Sequence, residues 1–184
     1  MSIDARSIKW FAIICLLAGI ARMGMTPTAL IWGTDSLPEL VCGYIACILM
    51  SIGSIALYAV QVKESGALGL ISVLSITLGN IVTAAFVFST FAVTDPSQLS
   101  GEAPMVMASS LVSLAALTGG TVLFAFVTYR AKVFPRWIVG LLVLMLLFMF
   151  VPIAEYTFFA LFWGLTYVAM GYCIWRGKLR QAHS

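Results

Sequence analysis

The sequence predicts an all-α membrane protein: one domain over residues 1–184, built as a bundle of six transmembrane helices with short loops and cytoplasmic N- and C-termini. Three observations predict it. First, 62% of the 184 residues are hydrophobic and 9% are charged, with a mean hydropathy of +1.08. A soluble domain carries about 25% charged residues, so water cannot be the main solvent. Second, the apolar stretches are continuous and close to the about 20 residues that one crossing needs. Transmembrane β-strands would alternate instead. Third, the basic residues fall almost entirely on one side of the implied bundle.

The expected spans are residues 8–25, 37–61, 68–93, 104–129, 137–153 and 156–175. Ser36-Leu37-Pro38-Glu39 fits a capping box at the start of the second span, and proline is tolerated in a first helical turn. Lys63-Glu64-Ser65-Gly66 predicts a tight polar turn before the third. Asp95-Pro96-Ser97 and Ser100-Gly101-Glu102 predict a longer polar loop. Arg130 to Arg136 is a basic loop in which Pro135 cannot continue a helix. Pro152 and Glu155 separate the last two spans, which together are too long for one crossing and so predict a tight hairpin.

Six spans put both termini on one side. That side holds Arg6, Lys9, Lys63, Arg130, Lys132, Arg136, Arg176, Lys178 and Arg180, nine of the ten Lys and Arg. Arg22 is the exception. Asp4 and Glu64 share the basic side, and Asp35, Glu39, Asp95, Glu102 and Glu155 fall opposite with Arg22, giving +7 on one side and −4 on the other. The positive-inside rule makes the basic side cytoplasmic. The net charge of +3 is therefore topological and does not imply nucleic acid as a partner. Trp10, Trp137 and Trp175 fall at the inner interface and Trp32 at the outer one, as aromatic anchors do. No A-x-A-like cleavage site follows the first apolar run, which predicts a retained first span.

Missing residues exclude several chemistries. The one histidine is His183, outside every span. Bis-histidine haem ligation and a histidine proton relay therefore have no groups to use. H-E-x-x-H, G-x-S-x-G, the P-loop and the Rossmann glycine pattern are absent. Cys15, Cys42, Cys47 and Cys173 form no C-x-x-C and read as small buried hydrophobes. The sequence predicts no metal site, no cofactor and no catalytic set.

Arg22 is the most informative residue. It lies thirteen positions past Lys9, ~20 Å up a helix in a hydrocarbon core ~30 Å thick. An intramembrane charge is costly and is usually paired. It can snorkel to lipid phosphate, form a structural ion pair, or hold a ligand. Glu155 is its expected partner, near the outer boundary of the fifth span. In the sixth span Tyr156, Phe159, Trp163 and Tyr167 follow helical spacing as an aromatic stripe. The stripe either packs between helices or walls a pocket. Asn80, between Thr77 and Thr83, sits near the middle of the third span. With the serines, threonines and glycines of the second and fourth spans, it fits helix packing or a polar cavity at the midplane. Gly119-Gly120 could loosen the fourth helix there. The candidate ligand-binding set is Arg22, Glu155, Tyr156, Phe159, Trp163 and Asn80.

Two stretches give a resemblance. One is Leu57-Tyr58-Ala59 through Ala67-Leu68-Gly69-Leu70-Ile71. The other is Phe134-Pro135-Arg136-Trp137 together with Gly171-Tyr172-Cys173-Ile174-Trp175-Arg176. They resemble a broad group of small bacterial integral membrane proteins, which implies a six-span protein of the bacterial inner membrane.

Three functions follow as expectations. One is binding, or assisting the passage of, a lipid or small amphiphile at an outer-half pocket. A second is an accessory or immunity-type subunit acting through helix contacts with a membrane-protein partner or a second copy. A third is a membrane-embedded isoprenoid or lipid enzyme using Glu155 or Asp95 as acid or base.

Overall fold

The computed structural model describes residues 5–92, 104–150 and 157–179. It is all-helical: α1 (Ala5–Trp32), α2 (Leu37–Ala59), α3 (Val62–Ala92), α4 (Pro104–Ala131), α5 (Arg136–Phe150) and α6 (Thr157–Trp175). Among the described residues, five helices are long and apolar enough to cross a membrane, and α5 is shorter. At 15 residues, α5 measures ~22 Å against a core of ~30 Å.

Successive helices are neighbours, and α6 closes back onto α1. Packing contacts fix the directions. Gly24 meets Cys42 and Gly53 meets Cys15, so α1 and α2 run antiparallel. Gly79 meets Leu117 and Gly120 meets Ile76, so α3 and α4 do too. The described Lys9, Lys63, Arg130, Lys132, Arg136, Arg176 and Lys178 therefore gather at one end, near helix termini. Asp35 and Glu39 mark the other end.

The outer surface is apolar. Leu17, Ile20, Ile45, Ile52, Leu74, Leu78 and Phe126 are exposed along the helix middles. Such a belt suits lipid and would aggregate in water. Trp10, Trp32, Trp137 and Trp175 are exposed near helix ends, where aromatic anchors belong.

The tightest packing is between α1 and α6. A Cβ on Gly19 would meet the Gly164 carbonyl oxygen at 2.4 Å, and one on Gly164 would meet the Gly19 oxygen at 2.4 Å. Gly171 presses on the Ala12 carbonyl at 2.9 Å. Without a hydrophobic force between helices in lipid, close backbone approach supplies the attraction. Ala12, Cys15 and Ala18 complete this face and are fully buried. The Ser54 and Tyr167 hydroxyls hydrogen-bond at 2.7 Å and tie α2 to α6.

Four local features differ from the sequence reading. Helix α1 runs seven residues past position 25, through Pro27. Pro27 removes the N–H that would bond the Met23 carbonyl, a loss that membrane helices tolerate more readily than soluble ones, and the helix continues through it. One residue on, the Thr28 hydroxyl donates to the carbonyls of Gly24 and Met25, at 2.8 and 2.9 Å, a back-bond within the same turn. Second, the expected turn at Lys63–Gly66 lies earlier, at Val60–Gln61. Gly66 instead kinks α3 at φ 56°, ψ −149°, a region suited to glycine. Third, the capping box at Ser36 does not form. Ser36 makes no side-chain cap, and Glu39 Oε2 accepts from the Asp35 backbone N–H at 2.7 Å. Fourth, α4 continues through Gly119-Gly120, because Gly120 is packed against Ser75 and Ile76.

The end of α6 carries a signal absent from that reading. Gly177 adopts φ 63°, with Lys178 N–H bonded to Cys173 O at 2.9 Å and Gly177 N–H to Ile174 O at 3.1 Å. This is a Schellman C-cap.

Candidate functional site

Arg22 stands ten residues before the end of α1, ~15 Å below it along the axis. The added length of α1 places it well inside the bundle rather than at a helix end. The residue is half-buried, and its Nε is buried without a hydrogen-bond partner. One terminal nitrogen donates to the Met25 sulfur at 3.4 Å. The guanidinium lies over the Trp163 ring, 4.9 Å from its centroid.

Helix α6 supplies the aromatic wall. Phe159 and Trp163 meet edge to face, with centroids 4.9 Å apart and planes at 71°. Trp163 is 4% exposed, so the ring under Arg22 is screened from lipid. Tyr167, one turn deeper, is buried and bonded to Ser54. The stripe thus faces α1 and α2: Phe159 opens onto a cavity, Trp163 backs Arg22, and Tyr167 joins the core.

The cavity has a volume of ≈ 510 Å³ and is lined by Arg22, Met25, Thr34, Asp35, Glu39, Phe159 and Ala160. That size lies within the range of small-molecule pockets. It lies towards the end of the bundle marked by Asp35 and Glu39. A second cavity of ≈ 290 Å³ lies at the basic end, lined in part by Lys63, Glu64 and Arg130. Its charged residues are all exposed, whereas Arg22 is a half-buried charge within a span.

The structure brings together Arg22, Phe159 and Trp163. Glu155 and Tyr156 lie outside the described residues, as do Asp95 and Glu102. Asn80 is elsewhere, 3% exposed on α3, donating to the Ile76 carbonyl at 3.0 Å. Its neighbourhood is a packing seam: Thr83 bonds Ser113 at 2.7 Å, and Ser113 reaches the Gly79 carbonyl at 3.1 Å.

Sequence reasoning missed Asp35 and Glu39 as cavity residues. Each carries a local role: Asp35 holds a positive φ of 61° in the turn, and Glu39 braces that turn. The signal was present. They are the first two acids after Arg22, across a single hairpin. Comparison with protein-family models, curated proteins and solved structures finds no match for the chain.

The cavity sets one cationic side chain, Arg22, and two acidic ones, Asp35 and Glu39, around a shared space. No group of three or more His, Cys, Asp or Glu suited to a metal exists among the described residues. All four cysteines are free thiols, and Cys15, Cys47 and Cys173 are buried.

Proposed function

We propose that this integral membrane protein binds a lipid or small amphiphile in the Arg22 cavity and holds or helps move it. In this reading the basic end is cytoplasmic, the cavity opens in the outer half of a bacterial inner membrane, and both termini are inside.

One observation carries the reading: a half-buried Arg22 with an unpartnered Nε in a cavity large enough for a headgroup. Placing arginine at a bilayer centre costs at least about 2.5–3.5 kcal/mol on insertion scales. A desolvated cation–π contact returns about 2 kcal/mol. The Met25 thioether is a weak acceptor. The balance favours an anionic group from a ligand, beside apolar Met25, Phe159 and Ala160 to receive chains.

Native mass spectrometry of gently purified protein tests this. Arg22→Ala should weaken a retained amphiphile about tenfold, the expected loss of one charge-assisted hydrogen bond. Ligand-free protein, or retention unchanged by the substitution, would refute it.

The subunit reading rests on the small-residue faces of α2 and α4. Of the small residues that suggested it, Ser51, Gly53 and Ser54 of α2 are buried within the chain, whereas Ser110 and Gly119 of α4 are exposed and are the surface such a partner would use.

A further inference from the structure

The identity of the headgroup follows from the order of charges in the Arg22 cavity, and rests on that cavity being an amphiphile site. Arg22 shares the cavity with Asp35 and Glu39. Among the described residues the guanidinium contacts Met25 and Trp163, and forms no ion pair with either acid. One Glu39 oxygen is engaged by the Asp35 backbone N–H. Opposite charges therefore line one cavity without touching. Such charges attract strongly where the dielectric is low. A dipolar group between them would satisfy both.

The charges are ordered along the bundle. Arg22 lies ten residues inside the end of α1, Asp35 is in the turn beyond it, and Glu39 is in the first turn of α2. Positive charge is deep, and negative charge is at the mouth. A phospholipid headgroup standing in a leaflet has the complementary order, with phosphate next to the chains and its amine towards water. We infer that the cavity takes a zwitterionic aminophospholipid, its phosphate on Arg22 and its ammonium at Asp35 and Glu39. Arginine suits phosphate through its planar fork of donors. An anionic lipid without an amine would bring no positive charge to the two carboxylates.

The test uses the full chain in bilayers holding equal phosphatidylethanolamine and phosphatidylglycerol with matched chains, and reads retained lipid by native mass spectrometry. Phosphatidylethanolamine should be retained over phosphatidylglycerol by about fivefold, the scale of a partly exposed ion pair. Combined Asp35→Asn and Glu39→Gln should bring the ratio near one while lipid is still retained. Arg22→Gln should lower both lipids. Equal or greater phosphatidylglycerol in the unaltered protein, or a ratio unmoved by the double substitution, overturns the headgroup assignment and leaves the amphiphile site standing. Retention of both lipids unchanged by Arg22→Gln overturns the site and the assignment together. Soluble glycerophosphoethanolamine in excess distinguishes sources. Failure to displace the lipid supports chains in the site, and displacement supports a zwitterion bound by its headgroup alone.

Discussion

The Arg22 guanidinium lies over the Trp163 ring, 4.9 Å from its centroid, and links α1 to α6 beside the cavity. Trp163 is buried, so the ring face offered to the guanidinium is held in place by the core. Arg22→Gln, Trp163→Leu and the double variant form a cycle. Unfolding in mixed micelles should give a coupling of about 1–2 kcal/mol. A coupling near zero would show that the ring merely fills space.

How much of this was legible in the sequence depends on the range of the physics. Composition and charge placement report burial in lipid, so the helices and the weight of Arg22 could be read directly. Trp163 and Phe159 were readable as a face, because helical spacing is local. Their pairing with Arg22 was not, since it depends on α6 closing onto α1. Pro27 reads as a stop in water, yet α1 passes through it. Asp35 and Glu39 were hidden by their turn and capping roles. The Gly19–Gly164 contact left no local trace, because a close approach is a property of two helices.

That contact gives a second prediction. A methyl added at Gly19 or Gly164 meets the opposing backbone oxygen, which no rotamer change can relieve. Gly19→Ala and Gly164→Ala should each destabilise the bundle by about 1–3 kcal/mol, the usual cost of overpacking. Gly119 and Gly140 have nothing within 4 Å of an added Cβ. Alanine there should be neutral or stabilising by up to about 1 kcal/mol through helix propensity. Equal losses at all four positions in thermal unfolding would contradict the packing assignment.

Gly66 provides a backbone test free of packing. Nothing lies within 4 Å of an added Cβ, yet the residue has φ 56°, ψ −149°. Gly66→Ala should cost about 1–3 kcal/mol from strain alone. A stabilised variant would mean that α3 runs straight through this position.

The Ser54–Tyr167 hydrogen bond, at 2.7 Å, joins two buried hydroxyls in the apolar interior. Interhelical hydrogen bonds in membrane proteins average about 0.6 kcal/mol, with a maximum near 1.7. Tyr167→Phe and Ser54→Ala should each fall in that range. The double variant should lose less than the sum, because one substitution already breaks the bond. Full additivity would show that the hydroxyls are satisfied separately.

Orientation can be tested at the ends of the bundle. Single cysteines are introduced as Asp35→Cys, Lys63→Cys, Arg136→Cys and Lys178→Cys. Cys15, Cys47 and Cys173 are buried, so Cys42→Ser removes the remaining accessible thiol. A membrane-impermeant maleimide on intact cells should label the variant at position 35 alone. The other three should label only after the membrane is opened. The full reverse pattern would refute the orientation drawn from the basic end. External labelling at position 178, with position 136 still protected, would carry a different meaning. It would put the end of α6 opposite the start of α1, and so contradict the antiparallel packing of Gly19 on Gly164 and Gly171 on Ala12.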